Sequence, residues 1–178
     1  MTKELIKKAK KGDKHAFEQI IDYYQNTLYK VARTRLNSIE DIEDAIQETI
    51  ISAYKSIHKL YNASKIKSWL ITILINQCNY IYKQKQKDNT ISFDLIEEKN
   101  YISDSYQNNS NIEFDSLMKV LNKDERTILL LYYSEGYNTK VIGKILNIND
   151  STIRNIISRA KRKIEKELKE DSIYGWYR

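Results

Sequence analysis

The chain has 178 residues, 41% of them hydrophobic, and a formal net charge of +6, which is enough to build the core of one ordinary domain or of two small ones. No apolar run approaches the ~18 residues of a membrane span, and Met1 to Lys14 is charged where a secretory signal would be apolar, so no membrane insertion and a cytoplasmic location are expected. Cys78 is the lone cysteine and His15 and His58 are the only two histidines, which argues against a disulfide, a metal site or a bound cofactor.

In chain order, Gly12 ends a short first helix. Asp13 is placed to cap a second, which carries Phe17, Ile20, Ile21, Tyr24, Leu28, Val31 and Ala32 at three- and four-residue spacing. The segment SIEDIEDAIQETI, Ser38 to Ile50, opens a third helix with Ser38 as its cap and Ile42, Ala45, Ile46, Ile50, Ala53, Tyr54 and Ile57 as its apolar stripe. Glu40, Asp41, Asp44, Gln47 and Glu48 fall largely on the other side. Taken alone, such a face reads as solvated, its acids favourably near the helix N-terminus. A further long helix begins near Ser64 and is expected to bury Ile66, Trp69, Leu70, Ile73, Leu74, Cys78 and Ile81, which makes Cys78 a core residue rather than a reactive thiol.

The charge then changes sign along the chain. Residues 1–87 hold 16 Lys and Arg against 9 Asp and Glu, residues 88–115 hold 1 against 7, and residues 116–178 hold 13 against 8. The acidic middle block loses helical periodicity and gains Asn and Ser, as a flexible linker between two domains would. Beyond it, Asn138 to Ile164 reads as a short helix, a four-residue turn and a longer helix, a helix-turn-helix. Val141, Ile142, Ile145 and Leu146 are the apolar positions of the short helix, and Gly143 is a small residue where a second helix must approach closely. Asp150 or Ser151 is expected to cap the long helix and Ile153, Ile156, Ile157, Ala160, Ile164 and Leu168 to be its buried positions. Thr152, Arg154, Asn155, Ser158, Arg159, Lys161 and Arg162 then face outward, as hydrogen-bonding and cationic groups that can meet base edges and phosphates. No segment alternates as a strand would, so the fold expected is all-α.

Together these segments resemble the extracytoplasmic-function (ECF) sigma factors of the sigma-70 family, the minimal two-domain initiation subunits of bacterial RNA polymerase. IEDAIQETI is similar to the acidic segment of the family's region 2.2, SKIKSWLITILINQC to its promoter-melting segment, and NKDERTILLLYYSEGYNTKVIGKILNINDSTIRNIISRAKRKI to its region 4. The resemblance implies a region 2 bundle over residues 1–87, an acidic linker over 88–112 and a region 4 helix-turn-helix over 113–178. It implies docking of Glu40, Asp41, Asp44, Gln47 and Glu48 on the clamp coiled coil of core polymerase, with region 4 on the flap. Asn62, Ser64, Lys65 and Lys67, followed by Asn76, Tyr80 and Lys83, would contact the minus-ten element. Ser151, Thr152, Arg154, Asn155, Ser158, Arg159 and Lys161 would contact the minus-thirty-five element. Promoter DNA and core polymerase are the implied partners, an anti-sigma factor is a further candidate partner, and no catalysed reaction is implied.

This sequence departs from the family pattern at Ile66, where Phe is usual, at Val141 for Glu and at Ile156 for Arg. Asn122 stands for a common Pro, and Asn122 or Asp124 is left to cap the helix that follows. The tail residues Tyr174, Trp176, Tyr177 and Arg178 are expected to pack on region 4. An autonomous helix-turn-helix regulator would account for the C-terminal block equally well, and it leaves the pairing of IEDAIQETI with SKIKSWL as coincidence.

Overall fold

The computed structural model describes residues 2–88 and 119–174, with side chains described over 2–87 and 119–169. The expected linker, apart from Asp88, lies outside the described residues, as do Trp176, Tyr177 and Arg178 and the side chain of Tyr174. The chain divides into two compact units, Met1–Leu95 and Ile96–Arg178. Among the described residues both are helical and no strand occurs.

In the first unit, helices α1 (Lys3–Lys10), α2 (Lys14–Arg33), α3 (Ile39–Ser56) and α4 (Ile66–Asp88) pack as a bundle. Their ends carry the expected chemistry. Asp13 accepts the amide of Ala16 at 3.0 Å and Ser38 that of Asp41 at 3.3 Å, which satisfies donors that a helix start would otherwise leave open. Gly12 turns the chain between α1 and α2 with φ of +95°.

The core lies where α4 sets Leu70, Ile71, Leu74 and Cys78 against Ile20, Leu28 and Val31 of α2 and against α3. Burying each large aliphatic side chain stabilises the fold by about 1.5–3 kcal/mol. Along α3 the fully buried line is Ile42, Ala45, Thr49 and Ala53, small residues that let two helix backbones approach. Thr49 was absent from the expected stripe, and its hydroxyl is satisfied within its own helix by donating to the Ala45 carbonyl at 2.6 Å. Tyr54 corrects the sequence expectation in the other direction: it is 40% exposed and meets Phe17 edge-to-face at a centroid separation of 5.1 Å. On α4, Trp69 and Ile73 are only half-buried, while Ile71 and Ile75 face the core. With neighbours on two sides, α4 buries a face centred one residue step away from the expected stripe.

In the second unit, α5 (Lys123–Leu129) runs into a π-helical turn (Leu130–Ser134), followed by α6 (Thr139–Leu146) and α7 (Asp150–Tyr174). Asn122 caps α5 in a capping box, accepting the Glu125 amide at 2.9 Å while Glu125 accepts the Asn122 amide at 2.9 Å. Glu125 is buried, and the same carboxylate oxygen takes Lys163 of α7 at 2.8 Å. One acid therefore caps one helix and ties it to another. Ile128, Leu131, Ile142, Ile153 and Ala160 fill the core between them. Leu168, expected inside, is 48% exposed, because it lies beyond the reach of α5 and α6 along α7.

The turn between α6 and α7 is three residues long, Asn147 to Asn149, and α7 starts at Asp150, so Asp150 is a first-turn residue rather than a cap. Asn147 takes the left-handed conformation, φ of +55°, and the Ile148 amide returns to the Gly143 carbonyl at 2.9 Å. Gly143 is required by this turn, not by an approaching helix: a Cβ there would sit 2.5 Å from the Ile148 carbonyl oxygen. Gly143→Ala, which would ordinarily favour a helix, is expected to destabilise the second unit by about 1–3 kcal/mol through overpacking against backbone. The check is a urea titration followed by a probe in that unit.

Candidate nucleic-acid and partner interfaces

Because α3 spends its small residues on α4, its acids are turned outward. Glu40, Glu43, Asp44, Gln47 and Glu48 are all exposed. Glu43 was missed among the expected docking residues; it stands one helical turn before Gln47 on the same surface. Asp41 is different. Its side chain is only 15% exposed and pairs with Lys85 near the end of α4 at 2.6 Å.

The acidic face continues into an apolar groove between α2 and α3, lined by Phe17, Ile21, Ile50, Ile51 and Tyr54 and edged by Lys14, Glu18 and Lys55, with a volume of about 500 Å³. Ile51 and Tyr54 follow Gln47 and Glu48 at helical spacing and are both exposed. Reading Tyr54 as core hid this groove at the level of sequence.

The expected minus-ten residues separate into groups. Asn62 caps a 3₁₀ turn (Ala63–Lys65), accepting the Ser64 amide at 2.9 Å and the Ser64 hydroxyl at 2.8 Å, so these two side chains fix the loop that precedes α4. Lys65 is exposed beside them, and Tyr61 just before them is fully exposed. Asn76, Tyr80 and Lys83 are exposed and share one stripe of α4 with half-buried Trp69. Lys67 is set apart: it is half-buried, and at roughly 100° per residue it falls on the core side of the first turn of α4.

On α7, Ser151, Thr152, Arg154, Asn155, Ser158 and Arg159 are exposed. Arg154 is held by Asp150 one turn earlier at 2.6 Å. Lys161 is exposed as well and has a neighbour beside the helix. Its ammonium lies 5.4 Å from the centre of the Tyr133 ring, and hydrogen bonding to Tyr133 pushes its pKa up. It borders a second apolar groove of about 360 Å³, lined by Leu129, Leu130, Tyr133, Ser134, Ile164 and Glu165. The π-helical turn opens this groove by carrying Tyr133 outward, a departure from α-helix that the sequence does not announce.

Among the described residues no group of three or more His, Cys, Asp or Glu could hold a metal ion, and no helix is long and apolar enough to cross a membrane. Burial pushes the Cys78 thiol up to about 12. At pH 8 Cys78 is therefore expected to stay silent towards a thiol reagent until urea unfolds the first unit. Asp41→Ala is expected to cost ~0.5 kcal/mol, the range of an exposed ion pair, and to speed amide exchange over residues 83–88. Asp44→Ala should leave those amides unchanged.

The family models for Sigma-70 region 2 and Sigma-70 region 4 match residues 20–87 and 111–164. The chain is 28% identical to the ECF RNA polymerase sigma factor SigW of Bacillus subtilis, over 96% of this chain and 98% of that protein. It is 31% identical to the ECF RNA polymerase sigma factor SigM of the same organism, over 83% of this chain and 92% of that protein. In fold it is similar to the sigma factor RpoE solved with the anti-sigma factor NepR from Bartonella quintana, with a TM-score of 0.73, 23% identity, and coverage of 86% of this chain and 96% of that one.

Proposed function

The chain belongs to the ECF sigma factors of bacterial RNA polymerase, within the sigma-70 family, and from that premise we propose how its surfaces divide the work. As a sigma factor it binds core RNA polymerase and directs promoter-specific initiation. Residues 1–87 act as region 2, residues 88–112 as an acidic linker and residues 113–178 as region 4. The chain works in the cytoplasm and catalyses no reaction of its own.

The observation that carries this reading is the outward acidic face of α3. Glu40, Asp44, Gln47 and Glu48, with Glu43, dock on a basic coiled coil of the polymerase clamp, where complementary charge speeds encounter and fixes orientation. Asp41 supports this surface from behind by holding Lys85. The groove beside Tyr133 receives an apolar element of the flap, with Lys161 at its edge.

DNA meets the other faces. Asn62, Ser64 and Lys65 shape the loop that captures an unpaired base of the minus-ten element, and Asn76, Tyr80 and Lys83 follow the opened strand, pairing cations with an aromatic surface on which a base can stack. Lys67 acts from the loop's inner side by supporting the first turn of α4. Ser151, Thr152, Arg154, Asn155, Ser158 and Arg159 read the minus-thirty-five element from the major groove. Two small basic units on a tether bind promoter DNA weakly alone, and the polymerase removes the cost of ordering them.

Transcription with purified core polymerase on a genomic fragment library tests the reading. Discrete transcripts should require this chain. Asp44→Lys with Glu48→Lys should lower assembly with core roughly 100-fold, since like charges across an interface cost several kcal/mol, and should abolish those transcripts. Absence of transcripts, with tight dimeric binding of the chain alone to a palindromic duplex, would replace the sigma reading with an autonomous regulator.

A further inference from the structure

We propose that Asp150 is a specificity-determining residue of the recognition helix, acting as a positioning group that aims Arg154 at a base edge. The proposal rests on the reading of α7 as the helix that enters the upstream promoter element. Asp150 is the first residue of α7, and its Oδ2 accepts from Arg154 Nη1 at 2.6 Å across one helical turn. The other carboxylate oxygen is enclosed, with no hydrogen-bond partner among the described residues, so the carboxylate has little room to swing. Behind it the turn is rigid, closed by the Ile148 amide on the Gly143 carbonyl and by the tight packing around Gly143. Arg154 itself is largely exposed. A long flexible cation is thus fastened at one nitrogen to a fixed anchor, while most of its side chain stays exposed on the first turns of the helix.

The physical consequence separates specificity from affinity. An untethered arginine satisfies any nearby phosphate, and phosphate contacts carry no sequence information. One held in a fixed orientation presents its fork to a base edge, where bidentate pairing with the O6 and N7 of guanine gives most of its discrimination. Asp150 also places a negative charge next to the DNA, which weakens general attraction to phosphates. Removing Asp150 should therefore lower discrimination while leaving non-specific binding equal or stronger. A residue that merely stabilised the helix start would lower both.

The experiment uses the full chain assembled with core polymerase, binding to promoter duplexes that carry either the intact upstream element or single-base substitutions, and to an unrelated duplex. Asp150→Ala, Asp150→Asn and Arg154→Ala are compared, with thermal melting of each chain. The expected result is a roughly tenfold loss of discrimination at one base pair for Arg154→Ala and for both Asp150 variants, with non-specific binding by the Asp150 variants unchanged or tighter. Full discrimination in both Asp150 variants, with loss in Arg154→Ala, overturns the proposal and leaves the recognition helix in place. A parallel fall in specific and non-specific binding, with a lower melting temperature in both Asp150 variants, overturns it in favour of a structural role. Unchanged discrimination in Arg154→Ala overturns the underlying reading of Arg154, and the proposal with it.

Discussion

The close packing of α4 on α3 is the constraint from which the first unit's surfaces follow. Leu70, Ile71, Leu74 and Cys78 must leave water, and on α3 the buried residues Ala45, Thr49 and Ala53 are small enough to let α4 approach closely. Once that contact is made, neither helix can rotate. The acids of α3 are then held outward on one side, and Asn76, Tyr80 and Lys83 are held outward along α4. Asp41, less exposed than its neighbours, is tied across to Lys85 of α4.

The second unit reaches rigidity by a different route. Two of its helices, α5 and α6, are short, so polar groups take a larger share of the work. Glu125 is buried yet fully engaged, capping α5 through Asn122 and pairing with Lys163, which keeps a buried charge from being left uncompensated. The turn after α6 depends on Gly143 having no side chain and on Asn147 accepting a left-handed backbone. These two devices set the angle at which α7 leaves the unit. The orientation of α7 is therefore set by the turn that precedes it.

The two apolar grooves fit the same logic. One continues the acidic face of α3 through Ile51 and Tyr54, and the other lies beside the recognition helix under Tyr133 and Lys161. Charge brings partners together over distance and apolar area holds them once docked. On each unit an apolar strip thus lies next to charged residues, and Ile51 and Tyr54, large hydrophobic residues, are left exposed.

Helix identity, capping by Asp13, Ser38 and Asn122 and the division into two basic blocks could be read from the sequence, because periodicity and capping are local properties of the chain. The family was legible for a related reason: three separate segments carry its side chains in order. What the sequence could not decide is which side of a stripe faces the core when a helix has neighbours on two sides. That choice moved Thr49 inward and Tyr54 outward, and left Trp69 at the boundary. Nor could it pair residues distant along the chain. Asp41 looked like its neighbouring acids until Lys85 reached it from α4, and nothing in the sequence placed Lys161 beside the Tyr133 ring. Local propensity depends on a few adjacent residues, whereas exposure and partnership depend on where every other helix comes to rest, and only tertiary packing sets that.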